Sequence, residues 1–320
     1  MKKIFSLYKF VVLFGLFNAC TPKEKKVGFT DYETIAKDDA FRATIKTGNF
    51  VKLTDGYTYY EYENKNADTL LVLVHGFSVP SYIWDSTYSA AIKRGYGALR
   101  YDTYGRGFSD NPDVAYDVSL YSNQLKELLE ALHINKPINL LGLSDGGRTI
   151  SAFAFQYPGQ IKNLIYVDPA GFETITDSEH NPAMVSAEEI ETFKKERYAT
   201  MARGQMEDFY DSVPFKGWDN RYQEFMRFKG FVRALISTNK NRTSIEREHR
   251  RIAVSGIPVF AIWGEHDSVV KLEEVRPNLM DRIPAIKLFV IPKAGHLPHM
   301  EQTSVFNSIL FDEIISGKHK

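Results

Sequence analysis

The sequence predicts an α/β fold, a mostly parallel central sheet with helices on both faces, interrupted by a helical insertion. Three observations lead there. Short aliphatic runs recur at Leu70–Val74 and at 138–141, 164–167, 259–262 and 288–291, the mark of strands buried on both faces of a parallel sheet. Segments of helical periodicity lie between them, and strands alternating with helices specify βαβ units. Between about Phe172 and Arg250 the alternation stops and no buried-strand run occurs.

The first nineteen residues read as a separate object. Met1-Lys2-Lys3 gives a basic start, followed by an apolar run from Phe10 to Phe17 and then Asn18-Ala19-Cys20. That run is shorter than the roughly 18 residues needed to span a bilayer, so it reads as a secretory signal. Cys20 is the only cysteine of the chain and stands where cleavage would occur. The arrangement resembles a bacterial lipoprotein signal, although Phe17-Asn18 departs from the small residues usual there. The resemblance implies a lipidated Cys20 as mature N-terminus and an envelope protein held at a membrane surface without a spanning helix. Plain secretion, or a soluble periplasmic location with an odd thiol, is the alternative.

Residues 20–45 are polar and charged and read as a tether passing into a short helix. A first core part, 46–171, opens with two strands flanking Asp55-Gly56, since glycine tolerates the positive φ of a hairpin turn. Leu125, Leu128, Leu129 and Leu132 follow i, i+3, i+4, i+7 spacing and predict a helix. Residues 172–250 read as a helical cap, with helix-like stretches at 187–198 and 221–231 and dense aromatics, among them Phe193, Tyr198, Phe209, Tyr222, Phe225 and Phe231. An insertion over the sheet accounts for this better than a second independent domain. The core resumes over 251–320, ending in a helix that uses Val305, Ile309, Leu310 and Ile314.

Composition narrows the function. The 320 residues are 43% hydrophobic and 25% charged, with forty basic residues against forty acidic. That balance disfavours a nucleic-acid partner, which calls for a basic excess or stripe. Loss of Lys2, Lys3 and Lys9 with the signal takes the basic count to 37 against 40 acidic. A single cysteine excludes an intrachain disulfide framework and cysteine-rich zinc sites. There is no G-x-x-x-x-G-K-[ST] loop, Gly95-Tyr96-Gly97 lacks a third glycine and a preceding strand, and His296-Leu297-Pro298-His299 lacks a zinc-protease glutamate. No cofactor and no metal are implied.

One pentapeptide carries most of the chemistry. Gly142-Leu143-Ser144-Asp145-Gly146 follows the strand 138–141 and precedes Gly147 and a helix-compatible run to Tyr157. This is G-x-S-x-G in a strand–turn–helix context, where a turn too sharp for flanking side chains aims the serine hydroxyl outward. The plainer reading is a glycine-rich turn with Ser144 as helix N-cap. A hydroxyl is a weak nucleophile and needs a base and a group to orient that base. Of eight histidines, His296 sits on a loop after the last aliphatic strand, at the edge where catalytic groups of open α/β sheets gather. Gly295 lets that loop turn. His299 could compete; His133 reads as a helical residue among leucines. Asp267, in Trp263-Gly264-Glu265-His266-Asp267, sits on the loop after the strand 259–262, one strand before the histidine, which gives the order Ser144, Asp267, His296. Asp168, ending the strand 164–167, satisfies the same order and is the alternative acid. For a developing oxyanion, the amides of Phe77 (after His75-Gly76) and Asp145 are the candidate donors. His75 reads as a loop-holding residue, and Asp145's carboxylate as lying at the pocket mouth or paired with a base.

With these segments in place, the chain resembles the α/β-hydrolase superfamily, in its capped esterase, lipase and carbon–carbon hydrolase branch. His75-Gly76-Phe77, the stretch Tyr101-Asp102-Thr103-Tyr104-Gly105-Arg106-Gly107-Phe108-Ser109, the 142–147 elbow, Trp263 to Asp267, and Gly295-His296-Leu297-Pro298-His299 carry the resemblance over roughly residues 50–316. It implies the α/β-hydrolase fold and a Ser-His-Asp hydrolase under a helical cap. The partner expected is a small-molecule ester or acyl compound with an apolar portion. Carbon–carbon hydrolysis or perhydrolysis on the same scaffold, and a non-catalytic extracytoplasmic binding protein, are the competing readings.

Overall fold

A computed structural model describes residues 32–175 and 182–317. The predicted signal, Cys20, His180 and His319 lie outside the described residues.

Eight strands form one sheet: β1 (Asn49–Leu53), β2 (Gly56–Glu63), β3 (Leu70–Val74), β4 (Gly97–Tyr101), β5 (Ile138–Leu143), β6 (Ile161–Val167), β7 (Val259–Gly264) and β8 (Lys287–Ile291). Their order across the sheet is β1-β2-β4-β3-β5-β6-β7-β8. The β1–β2 hairpin and the β2–β4 pair are antiparallel, and every pair from β4 to β8 is parallel. The helices are α1 (Asp39–Thr44), α2 (Asp85–Lys93), α3 (Val118–Ala131), α4 (Asp145–Gln156), α5 (Ala187–Gly204), α6 (Trp218–Phe225), α7 (Phe231–Lys240), α8 (Glu246–Ala253), α9 (Leu272–Arg282), α10 (Pro298–Glu301) and α11 (Thr303–Asn307), the last running on as a π-helical segment, Ser308–Ile315.

Alternation along the strands divides the core in two, because successive side chains leave opposite faces of a pleated strand. Leu71 and Leu73 of β3, with Leu141 and Leu143 of β5, face one cluster. Leu70, Val72 and Val74, with Leu140 and Tyr166, face the other, which is closed by Leu125, Leu128 and Leu129 of α3, Phe153 of α4 and Leu279 of α9. The first cluster continues without a break into Tyr222, Phe225, Phe228 and Phe231. The inserted helices therefore share the sheet's own core, and most of the aromatics counted in the sequence are packing.

Several local expectations need correcting. β4 was not foreseen, because Arg100 interrupts its apolar run. Its five residues are nevertheless buried, and the guanidinium is neutralised by Glu61 at 2.8 Å and by Asp85. The run 288–291 lies on the edge strand β8 and is only half covered, Val290 being 45% exposed. Val305 is likewise 43% exposed and does not join Ile309, Leu310 and Ile314 in the core. A single helix over 221–231 does not form; the backbone breaks at Gly230, φ +82°, between α6 and α7. His133 is not helical. It stands past the end of α3 at φ +56° and is exposed. Helix α8, at the end of the inserted stretch, packs against α4 and α9 on the sheet's flank.

The segment from Tyr32 to Ile45 crosses from the inserted helices to the core. Tyr32 stacks on Tyr198 at 4.8 Å, and the Ile35 amide donates to the Arg227 carbonyl at 3.0 Å while the Lys229 amide donates to the Ile35 carbonyl at 2.9 Å. Phe41 packs edge-on against Phe228 at 5.0 Å, and Arg42 pairs with Asp110 at 3.0 Å on the β4 loop.

Candidate active site

Parallel strands deliver their loops to one edge of the sheet, and the tips of β3, β5, β6, β7 and β8 meet there. β5 ends in the elbow. Ser144 has φ +51° and ψ −120°, a conformation costly for any residue with a side chain. It opens α4 by position, but its side chain makes no capping bond, so the N-cap reading fails. The flanking glycines are compulsory: a Cβ on Gly142 would stand 2.5 Å from the Gly146 carbonyl oxygen, and one on Gly146 would stand 2.6 Å from the carbonyl oxygens of Val74 and His75.

The loops after β7 and β8 cross at Gly264 and Gly295, where a Cβ on Gly264 would run into the Gly295 carbonyl. Backbone bonds lock the crossing, the His266 amide donating to the Ala294 carbonyl at 2.8 Å. The Asp267 carboxylate accepts from the Val269 and Val270 amides through Oδ1, at 2.8 and 2.9 Å. Its Oδ2 is left to meet His296 Nδ1 at 2.8 Å. Gly295 is needed for close approach rather than for a special turn, since its Cβ would meet the Asp208 carbonyl and the Tyr210 amide nitrogen at 2.6 Å. The His296 amide in turn donates to the Asp208 carbonyl at 2.8 Å.

Ser144 and His296 line one cavity of about 210 Å³, with Phe77, Gln205, Asp208 and Val269 among its walls. Burial disfavours the His296 imidazolium, but the hydrogen bond and charge of Asp267, with Asp208 beyond, outweigh it, and the pKa is raised above 6.5.

Asp168 is fully buried beside Asp267. Its Oδ1 accepts from the Gly264 amide at 2.8 Å, and its Oδ2 has no hydrogen-bond partner. Burial, followed by the charge of Asp267, holds its pKa well above the usual carboxylate range. Asp168, Asp267 and His296 bring one ligand atom each within 4.8 Å of one another. His296 Nδ1 is already engaged by Asp267 Oδ2 at 2.8 Å.

The two candidate oxyanion donors occupy the same edge. Asp145 is the first residue of α4, so its N–H has no intrahelical acceptor. The Phe77 N–H has no acceptor among the described residues, and the Phe77 carbonyl is held by Arg106 Nε. His75 Nε2 accepts from the Thr103 amide at 2.9 Å, which leaves Nδ1–H to donate to the Gly76 carbonyl at 2.8 Å. Burial pushes its pKa down to about 3, so it holds the loop as a neutral ring. His299 is also buried, its Nε2 at 3.0 Å from the Ile83 carbonyl, and its pKa is pushed down to about 3. It is not among the residues that line Ser144's cavity, where His296 is. The Asp145 carboxylate is paired with Arg242 at 3.1 Å.

Sequence reasoning missed Asp208 and Gln205. They come from the inserted segment, where no motif marks them, and only the fold carries them to the β8 loop.

Fold and site together define an α/β hydrolase. Residues 71–308 match the model of the alpha/beta hydrolase family, and the chain belongs to that family. It is 25% identical over 313 residues to Lipase 1 of Psychrobacter immobilis, covering 91% of this chain and 92% of that protein. It is 27% identical over 266 residues to Lipase 3 of Moraxella sp. (strain TA144), covering 77% of each. Among solved structures, an esterase from Exiguobacterium antarcticum superposes with a TM-score of 0.69 at 20% identity, over 83% of this chain and 98% of that one. A meta-cleavage product hydrolase superposes with a TM-score of 0.64 at 22% identity, over 83% and 97%. The protein is an alpha/beta hydrolase, similar to lipases in sequence and to an esterase in fold.

Proposed function

We propose that the protein cleaves carboxylic esters through a Ser144–His296–Asp267 triad and an acyl-enzyme intermediate. The observation that carries this reading is the 2.8 Å bond from Asp267 to His296 Nδ1, made at the wall of the cavity that also holds the strained Ser144. His296 Nε2 takes the Ser144 proton as Oγ attacks the ester carbonyl, and the Phe77 and Asp145 amides receive the oxyanion. Collapse expels the alcohol, which takes the proton from His296. Water activated by the same imidazole then releases the acid and regenerates Ser144. Asp267 orients the ring and stabilises the imidazolium.

The lipase relatives favour ester cleavage over carbon–carbon hydrolysis, because the likeness to the meta-cleavage product hydrolase extends to fold alone. A non-catalytic binder would have no use for the backbone strain stored at Ser144. The test pairs hydrolysis of p-nitrophenyl butyrate with labelling by a fluorophosphonate. The reading requires turnover and a single adduct on Ser144. A wild-type protein that neither turns over the ester nor takes the label rejects it.

We further propose that residues 1–19 are removed on export and that Cys20 is lipidated, which places the enzyme at the bacterial cell envelope. No helix among the described residues is long and apolar enough to cross a membrane; in this proposal the acyl chains on Cys20 make the attachment. Incorporation of radiolabelled palmitate, lost in Cys20→Ser, is the expected result; an unlabelled protein in the soluble fraction rejects it.

A further inference from the structure

The cavity at Ser144 contains one charged group that the proposed mechanism does not use. Asp208 lies on the inserted segment, in the turn that follows α5, and lines the cavity together with Ser144 and His296. Its backbone carbonyl is tied to the His296 amide at 2.8 Å, which fixes the residue beside the imidazole. Its carboxylate, by contrast, has no hydrogen bond or ion pair among the described residues.

The surroundings make that unusual. Phe77, Val79, Ile83, Leu143, Val269 and Leu297 give the cavity apolar walls, and the Gln205 side chain is engaged, accepting from Ser78 Oγ at 3.0 Å. Besides His296, Asp208 is the only titratable side chain among the described residues that line this cavity. Elsewhere in the fold, semi-buried carboxylates are answered: Asp145 by Arg242 and Asp110 by Arg42. A carboxylate in a largely apolar setting without a partner is unfavourable, and a ligand that supplies the missing cation relieves it.

Resting on the ester-hydrolase reading, we infer that Asp208 determines specificity in this site and selects esters that carry a compact cationic group next to the scissile bond. Size agrees with charge. At about 210 Å³ the cavity is smaller than the roughly 300–1,000 Å³ of sites for drug-sized ligands, so it suits a small head group. A wider groove of about 770 Å³ shares Phe77 with it, between α5 and α7, with Phe193, Met201, Leu235 and Ile236 on its walls and Glu189, Arg197, Glu207 and Lys240 also lining it. In this inference its apolar wall is where the acyl chain of the ester lies. Burial, with the charges of Asp267 and Glu207 opposing the charge of His296, pushes the Asp208 carboxyl up to about 6. It is therefore ionised in an assay at pH 8.

The experiment compares butyrylcholine with its uncharged isostere, 3,3-dimethylbutyl butyrate, using the full mature protein at pH 8. The ratio of kcat/KM values, cationic over neutral, is expected to fall roughly tenfold in Asp208→Asn, because the paired charge is the only difference between the esters. Asp208→Glu, which keeps the charge, is expected to retain a preference for the cation. An unchanged ratio in Asp208→Asn, or a wild type that prefers the neutral ester, overturns the inference. So does an equal loss on both esters, which would make Asp208 a positioning residue for His296. Calorimetric titration with choline n-propyl ether reads the same preference without turnover. Binding about tenfold weaker in Asp208→Asn supports the cation site even if neither ester is hydrolysed, a result that would count against the ester reading alone. Equal binding overturns it.

Discussion

Asp168 and Asp267 lie on the loops that follow adjacent strands and stand side by side, yet only Asp267 bonds His296, at 2.8 Å through Nδ1. The two carboxyl groups differ in what surrounds them. Asp267 accepts two backbone N–H bonds, whereas Asp168 is sealed at 0% exposure with one oxygen unanswered. Two neighbouring carboxylates do not both ionise in a buried site, and the burden of the proton falls on Asp168. Asp267→Asn should therefore reduce kcat by roughly three to four orders of magnitude. Asp168→Asn, which keeps the acceptor for the Gly264 amide, should reduce it by less than about tenfold. Steady-state kinetics on p-nitrophenyl butyrate checks this, and the reverse ranking would reassign the acid.

Ser144 should show activity and stability pulling in opposite directions. Ser144→Ala removes the proposed nucleophile and should leave turnover near background, a loss of about a millionfold. Ser144→Gly should be just as inactive but more stable by about 1 kcal/mol, because glycine adopts φ +51° without strain. Denaturant melts of the two variants check the second half; a glycine variant less stable than wild type would show that the elbow stores no strain.

The pH profile should carry the signature of the His296–Asp267 pair. The base works as the neutral imidazole, so kcat/KM falls as pH drops through the pKa of His296. Burial lowers that pKa, but the Asp267 bond and the facing Asp208 charge raise it further, for a net position above 6.5. The acid limb should therefore have its midpoint above 6.5 and move to lower pH in Asp208→Asn. A limb below 6.5 in the wild type would mean that burial dominates.

The crossing of the β7 and β8 loops leaves no room at position 264. Gly264→Ala drives a methyl group into the Gly295 carbonyl and should destabilise the protein by about 1–3 kcal/mol, as overpacking does. It should also lower kcat disproportionately, since Asp267 and His296 sit just beyond the crossing. Wild-type kinetics together with a wild-type melting temperature would contradict this account.

Much of the architecture is legible along the chain because it is local. Leu70–Val74 declares a buried strand by its unbroken aliphatic run, and Gly142 to Gly146 declares a sharp turn because only glycine survives there. Ser144, His296 and Asp267 could be ranked by chain order and by position after strands. β4 escaped because Arg100 masks it, and its burial depends on Glu61 and Asp85, partners far away in sequence. Asp208 escaped for a related reason: nothing next to it in the sequence says that its carbonyl will hold the His296 amide.

The sequence by itself determined the fold class, the elbow and the three residues worth testing, since periodicity and glycine sterics act over a few residues. The tertiary structure alone put Asp267 rather than Asp168 against His296 Nδ1, kept His75 and His299 neutral, and put an unpartnered carboxylate beside the imidazole. Those outcomes depend on burial and on which groups meet across distant loops, and free energies of ionisation are set by such surroundings rather than by residue type.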